Sequence, residues 1–239
     1  MPPFGRGFWH DRAFMLVAGS ALVFGLCTMA AMLAYPGGTM NDPTTVGYLF
    51  GRNFFSDLGI WTAHNGTPNT TSFALFFSAL TLVGLSQVLF FAAFQRQFTA
   101  SETMRRIATA GSLLGAVAGL CLVGVAMTPA DLFLSTHIAF TKWAFRLFPL
   151  ATLLYAVVMF RSEDFPDRFA WVFAGFAALL VAYLLLLEFG PSPKTDAGLT
   201  IQVAGQKAIV FASILSVMVV AIGARGVARS RAGAGSNSG

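Results

Sequence analysis

Six apolar runs, each close to the length of a bilayer-spanning helix, constrain this chain more than anything else in it. They cover 14–35, 73–94, 107–127, a stretch ending at Phe160, 169–187 and a stretch ending near Gly223. A helix needs about 20 apolar residues to cross a hydrocarbon core of roughly 30 Å, and every run approaches that length. Composition agrees, with 56% hydrophobic and 10% charged residues, against roughly 25% charged in an average soluble domain. The chain is therefore predicted to be all-α, an integral membrane six-helix bundle.

The first run follows Arg6, His10 and Arg12 and holds small residues near Ala31 to Ala34, features shared with a secretory signal. Its length exceeds the roughly 7–15 residues of a signal's apolar region, which favours a first spanning helix. No loop is long enough to fold alone, so 1–231 reads as a single six-helix transmembrane domain. The Gly, Ala, Ser and Asn tail at 232–239 has too little apolar surface to order itself, and disorder is expected there.

With a cytoplasmic N-terminus, ten of the 15 Lys and Arg residues fall on the cytoplasmic side, from Arg6 and Arg12 to Arg229 and Arg231. The opposite loops carry only Arg52 and Lys194. The positive-inside rule then places both termini in the cytoplasm. A pI of 9.7 follows from this topology and from anionic inner-leaflet lipid, with no need for a nucleic-acid partner. The excess of Arg over Lys, with abundant Ala and Gly, suggests a bacterial inner membrane as the expected cell membrane; the sequons at Asn65 and Asn69 are then incidental. Cys27 and Cys121 lie in apolar runs and read as small hydrophobes.

The loop between the first two runs holds Asn53, Ser56, Asp57, Leu58 and Gly59, an amide, a hydroxyl and a carboxylate where a plain connection would suffice. Asn53 and Asp57 are one helical turn apart, beside an apolar stripe of Val46, Phe50, Phe54 and Trp61, so the loop is predicted to be structured. In the third run Gly111, Gly115 and Gly119 form a small-residue face, expected to serve packing inside the bundle or, alternatively, a homo-oligomer. Pro149 predicts a kink in the fourth.

Counting about 20 residues back from Phe160 and Gly223 puts Lys142, Arg146 and Lys207 near the outer boundary. Glu188, Asp131 and His137 fall at the same level, as do Asn53, Asp57, His64 and Asn69. Ionisable groups at such depth cost roughly 2.5–3.5 kcal/mol each unless they pair, face a cavity or snorkel. One account is structural: Glu188 pairs with Lys207, Asp57 or Asp131 pairs with Arg146, and Lys142 snorkels. The other is an outward-facing pocket for a polar lipid head group.

Asn53, Ser56, Asp57, Leu58 and Gly59, followed by Asn69 and Ser72, then Pro129, Asp131 and His137, resemble the membrane-protein family called domain of unknown function 998. More distantly, the Ser56-Asp57-Leu58-Gly59 core is similar to the Frag/DRAM/Sfk membrane proteins, which are linked to lipid remodelling and distribution. Asn53 stands where that second pattern has proline, and Asn69 where it has an acidic residue. The resemblance implies a six-helix fold and carries Asn53, Ser56, Asp57, Asn69, Asp131 and His137 over as candidate site residues, without supplying a reaction.

The leading expectation is a protein that binds or organises a polar, anionic outer-leaflet lipid, with Arg146, Lys142, Lys207 and Glu188 around the head group and Asn53, Ser56 and Asn69 bonding its substituents. The alternative is a membrane-embedded lipid hydrolase or acyltransferase using His137 as base with Asp57 or Asp131 orienting it. A metal-dependent variant would draw on His64, His137, Asp57 and Asp131, but no paired ligand spacing is present, and no metal or other cofactor is expected. A transporter is disfavoured because the charges gather in one leaflet and no inverted repeat is legible.

Overall fold

A computed structural model describes residues 7–236. A π-helical turn, Phe8–Arg12, leads into α1, Ala13–Ala34; then come α2 (Thr70–Phe94), α3 (Glu102–Met127), α4 (Leu134–Phe160), α5 (Asp167–Phe189) and α6 (Asp196–Ser236). All six are long and apolar enough to cross a membrane, so this is a multi-pass membrane protein. The predicted runs match these helices: α1, α2, α3 and α5 begin one to five residues before the apolar stretches, and α1 to α4 end within one residue of them. α6 is the exception in length: its 41 residues span roughly 60 Å at 1.5 Å per residue. It carries the backbone past the boundary drawn at Arg231 as far as Ser236; the rest of the expected tail, and Arg6, lie outside the described residues.

Each helix packs on its neighbour in the chain, and α6 closes on α1. The result is a ring with two distinct ends: one carries the π-turn, the α2–α3 and α4–α5 links and the end of α6; the other carries the long α1–α2 loop. Small residues let the ring close tightly. A Cβ on Gly84 of α2 would lie 2.7 Å from the carbonyl oxygen of Gly119 on α3, and the reverse holds equally. Gly115 backs onto Phe91 and Gly111 onto Tyr155. The glycine face is thus consumed inside the bundle, and the homo-oligomer expected through Gly111, Gly115 and Gly119 has no free surface there.

At the terminal end the ring is filled by aromatics. Phe90, Phe94, Phe98, Tyr155, Phe165 and Phe173 are all within 2% of complete burial, with ring centroids of 5.0 Å for Phe90–Phe94 and 4.7 Å for Phe94–Tyr155. Tyr155 is tolerated because its hydroxyl donates to the Ala108 carbonyl at 3.0 Å and meets Ser112, so that hydroxyl is not buried unpaired. α4 runs unbroken through Pro149. Beyond the aromatic plug, the middle of the ring is hollow, with an inner cavity of about 90 Å³ walled by α1, α2, α3, α4 and α6. Apolar residues dominate its wall, but Gln87 is there too, 6% exposed, with its side-chain carbonyl oxygen unpartnered.

Candidate functional site

The α1–α2 loop folds over the open end of the ring. Two isolated antiparallel bridges, Gly37 with Val46 and Thr62 with Pro68, shape it. At Gly38, φ is +82° and an added Cβ would sit 2.3 Å from the backbone nitrogen of Asn65, so only glycine lets these two layers of loop meet. The apolar anchor differs from the predicted stripe. Phe55, Leu58 and Ile60 are buried, whereas Val46, Phe50 and Trp61 are exposed. The i,i+4 reading fails for that stripe because Phe55–Gly59 is a short 3₁₀ turn, which points the next residue inward. Each buried anchor contributes roughly 1.5–3 kcal/mol by leaving water.

The predicted polar residues divide into two groups with different jobs. Asn53, fully buried, accepts from the Leu49 amide at 2.9 Å and donates to the Gly38 carbonyl at 2.9 Å and to Asp57 Oδ2 at 3.0 Å. Asn69 Nδ2 donates to the carbonyls of Leu58 at 3.2 Å and Ile60 at 2.9 Å, and Ser72 Oγ donates to Leu58 at 3.2 Å. Lys207 Nζ donates to the Asn53 carbonyl at 2.5 Å among the rings of Tyr48, Phe50 and Phe55. Its neighbour Gln206 accepts from the Phe55 amide at 2.6 Å. Asp131 takes the amides of Trp61 and Thr62, both at 2.9 Å, and ties the loop to the α3–α4 link. These groups hold the loop; Asn53, Asn69 and Lys207 donate to loop carbonyls and, for Asn53, also to Asp57, and none of the three expected head-group contacts lines the pocket.

The second group faces a pocket of about 650 Å³ between the loop, α4, α5 and α6. Its wall includes Ser56, Asp57, His64, Asp131, His137 and Lys142, set among apolar residues such as Phe54, Ile60, Ile138 and Leu187. Asp57 Oδ2 is occupied by Asn53 and by the Phe54 amide at 3.0 Å. Its Oδ1 lies 3.4 Å from His64 Nε2, and that nitrogen has no hydrogen-bond partner among the described residues. Asp57 thus lies beside the His64 imidazole, within ion-pair distance when that ring is protonated, and makes no hydrogen bond to His137. The Asp57 contact raises the His64 pKa above its ordinary value, against an opposing effect of burial. Burial pushes the phenols of Tyr35 and Tyr48 up, so both stay neutral donors; Tyr35 also accepts the His64 backbone amide at 3.3 Å.

His137 bonds through Nδ1 to the Thr128 carbonyl at 2.7 Å. A carbonyl only accepts, so Nδ1 carries the proton and Nε2 of the neutral ring is left as the acceptor. Neither Asp57 nor Asp131 orients it, which removes the dyad expected for catalysis. The expected ion pairs are also rearranged. Glu188 binds Lys142 at 2.9 Å and Arg146 at 2.8 Å, while Lys207 takes the loop carbonyl described above. Arg146 does not line the pocket.

Sequence reasoning placed His64 at the outer level and in the metal variant without pairing it with Asp57, and it did not single out Gln206 among the pocket-lining residues. His64 was visible as a loop imidazole, but no spacing rule links it to Asp57. Gln202 and Gln206, one turn apart in an otherwise apolar helix, were the available signal for the loop's docking site on α6. Among the described residues no group of three or more His, Cys, Asp or Glu side chains is placed to hold a metal ion. No protein-family model, curated protein or solved structure matches the chain.

Proposed function

We propose that this protein binds the polar head of a membrane lipid in the pocket beneath the α1–α2 loop. The observation that carries this reading is the pocket of about 650 Å³ in which Asp57, His64, Asp131, His137 and Lys142 stand among apolar and neutral polar residues, at the end of a membrane bundle. Pinning helices together would not require such a space, and the groups that do pin the loop are satisfied elsewhere. The charge of the wall bears on the head group. Lys142 shares Glu188 with Arg146, and the carboxylates Asp57 and Asp131 line the same pocket, so a purely anionic head is poorly matched. A head that presents hydroxyl or ammonium donors to Asp57, with one phosphate toward Lys142, fits better. The loop end is then the outer face, as the Arg-rich terminal end suggests.

Native mass spectrometry on protein extracted in mild detergent tests the reading. One lipid class is expected to co-purify with the wild type and with Arg146→Gln, and to be lost from His64→Gln and Lys142→Met. Lipid-free wild type, or equal retention in all four proteins, would contradict it. One observation favours a second reading: a carboxylate beside an imidazole in a pocket is the arrangement of a general base and its orienting group. A lipid hydrolase of this kind would keep its lipid in His64→Gln and lose turnover, the opposite pattern of occupancy.

A further inference from the structure

The loop pocket and the inner cavity lie on successive turns of the same two helices. On α4, Thr141 and Lys142 face the pocket, and Ala144 and Phe145, less than a turn further on, face the cavity. On α6, Gln206 lines the pocket and Val210, one turn on, lines the cavity. At the boundary between them Tyr183 from the pocket wall meets Phe145 from the cavity wall edge-on, centroids 4.8 Å apart, beside the apolar core of Phe24, Phe55, Leu58 and Ile60. Below, from Val210 to Val217 on α6, the cavity follows seven residues, roughly 10 Å of helix. Phe14, one turn below Val17, closes the floor against Phe90 at 6.2 Å.

We infer that the two spaces form one site for a single-chain amphiphile, its head in the loop pocket and its alkyl chain running down the axis of the ring past Phe145 and Tyr183. This rests on the head-group reading above and adds the class of ligand. The inner cavity, about 90 Å³, is too small for the paired chains of a diacyl lipid. A conduit is excluded by the aromatic floor.

The test compares binding of lysophosphatidylethanolamine with a long acyl chain, its hexanoyl analogue and the diacyl lipid with the same head, in detergent. The proteins are the wild type and two cavity-filling variants, Ser213→Phe and Ala21→Leu. Ser213 donates only to the Ile209 carbonyl of its own helix, so its removal strands no distant partner, and Ala21 lies half-buried on the α1 wall. Thermal midpoints confirm that each variant is folded, and either one suffices. Burial of methylene groups at about 0.8 kcal/mol each sets the expected result: the wild type binds the long-chain probe at least about tenfold more tightly than the hexanoyl one and more tightly than the diacyl lipid. In a folded filling variant that preference shrinks to under about threefold, while hexanoyl binding is unchanged. If folded variants keep the wild-type chain-length preference, the chain lies elsewhere and the inference is overturned while the head-group reading stands. If the wild type binds none of the three, both are overturned.

Discussion

His64 is the residue whose behaviour most directly reports the loop network. Its folded-state pKa is raised by Asp57, while in the unfolded chain it returns to about 6.5. Protonation therefore stabilises the fold: the contribution is complete below about pH 6.5 and is lost as pH rises through the higher folded value. The thermal midpoint of the wild type is expected to fall across that window, and His64→Gln to flatten the dependence; an unchanged slope in the variant would detach His64 from the effect. Gln87 offers a second residue-level test. Its carbonyl oxygen is buried without a partner, a burden of roughly 1–3 kcal/mol. Gln87→Met is expected to raise stability by about 1 kcal/mol, and a clear loss would mean that the amide is bonded inside the cavity.

Helix contacts explain which parts of the site were legible in the sequence. Counting residues from the ends of apolar runs fixes depth, and Lys142, Arg146, Glu188 and Lys207 do lie towards one end of the ring. The count says nothing about rotation around each helix axis. Glu188 faces α4 and meets Lys142 and Arg146, whereas Lys207 turns to the loop; the expected pairs failed on azimuth, not on level. The Asn53–Asp57 contact was legible because it is local, four residues apart. The Asp57–His64 and Lys207–Asn53 contacts depend on how the loop closes, which no periodicity encodes. The glycine face was readable as a packing surface, and its partners give the test at this scale. Gly119→Val drives a side chain toward the Gly84 carbonyl, which a Cβ would approach to 2.7 Å, and is expected to cost about 1–3 kcal/mol. Gly175→Ala, with nothing within 4 Å of its Cβ, should leave stability unchanged or raise it by up to about 1 kcal/mol. Equal effects in thermal unfolding would contradict the close α2–α3 crossing.

The whole molecule is a six-helix ring, packed with aromatics at one end, hollow in the middle and covered at the other by a hydrogen-bonded loop. At the aromatic end Asp11 takes Arg225 and Arg229, Asp164 takes Arg231 and Glu102 takes Arg105 and Arg106, yet Arg12, Arg96, Arg161 and Arg168 add to the positive charge there. The proposed topology puts this end inside. With Cys27 and Cys121 replaced, a cysteine at Thr67 should be labelled from outside intact cells and one at Ser236 only after permeabilisation; the reverse pattern would invert the molecule. The central claim, a lipid held in the loop pocket, is tested most directly by a photoreactive amino acid placed at Met40 in the pocket wall and, as a control, at Leu153 on the exposed face of α4. After crosslinking in native membranes and mass spectrometry of the adducts, Leu153 should capture lipids in proportion to the bulk bilayer. Met40 is expected to be enriched in one head-group class, and to keep that enrichment after detergent dilution. Adducts at Met40 that match the bulk composition, or that vanish on dilution as those at Leu153 do, would contradict the account.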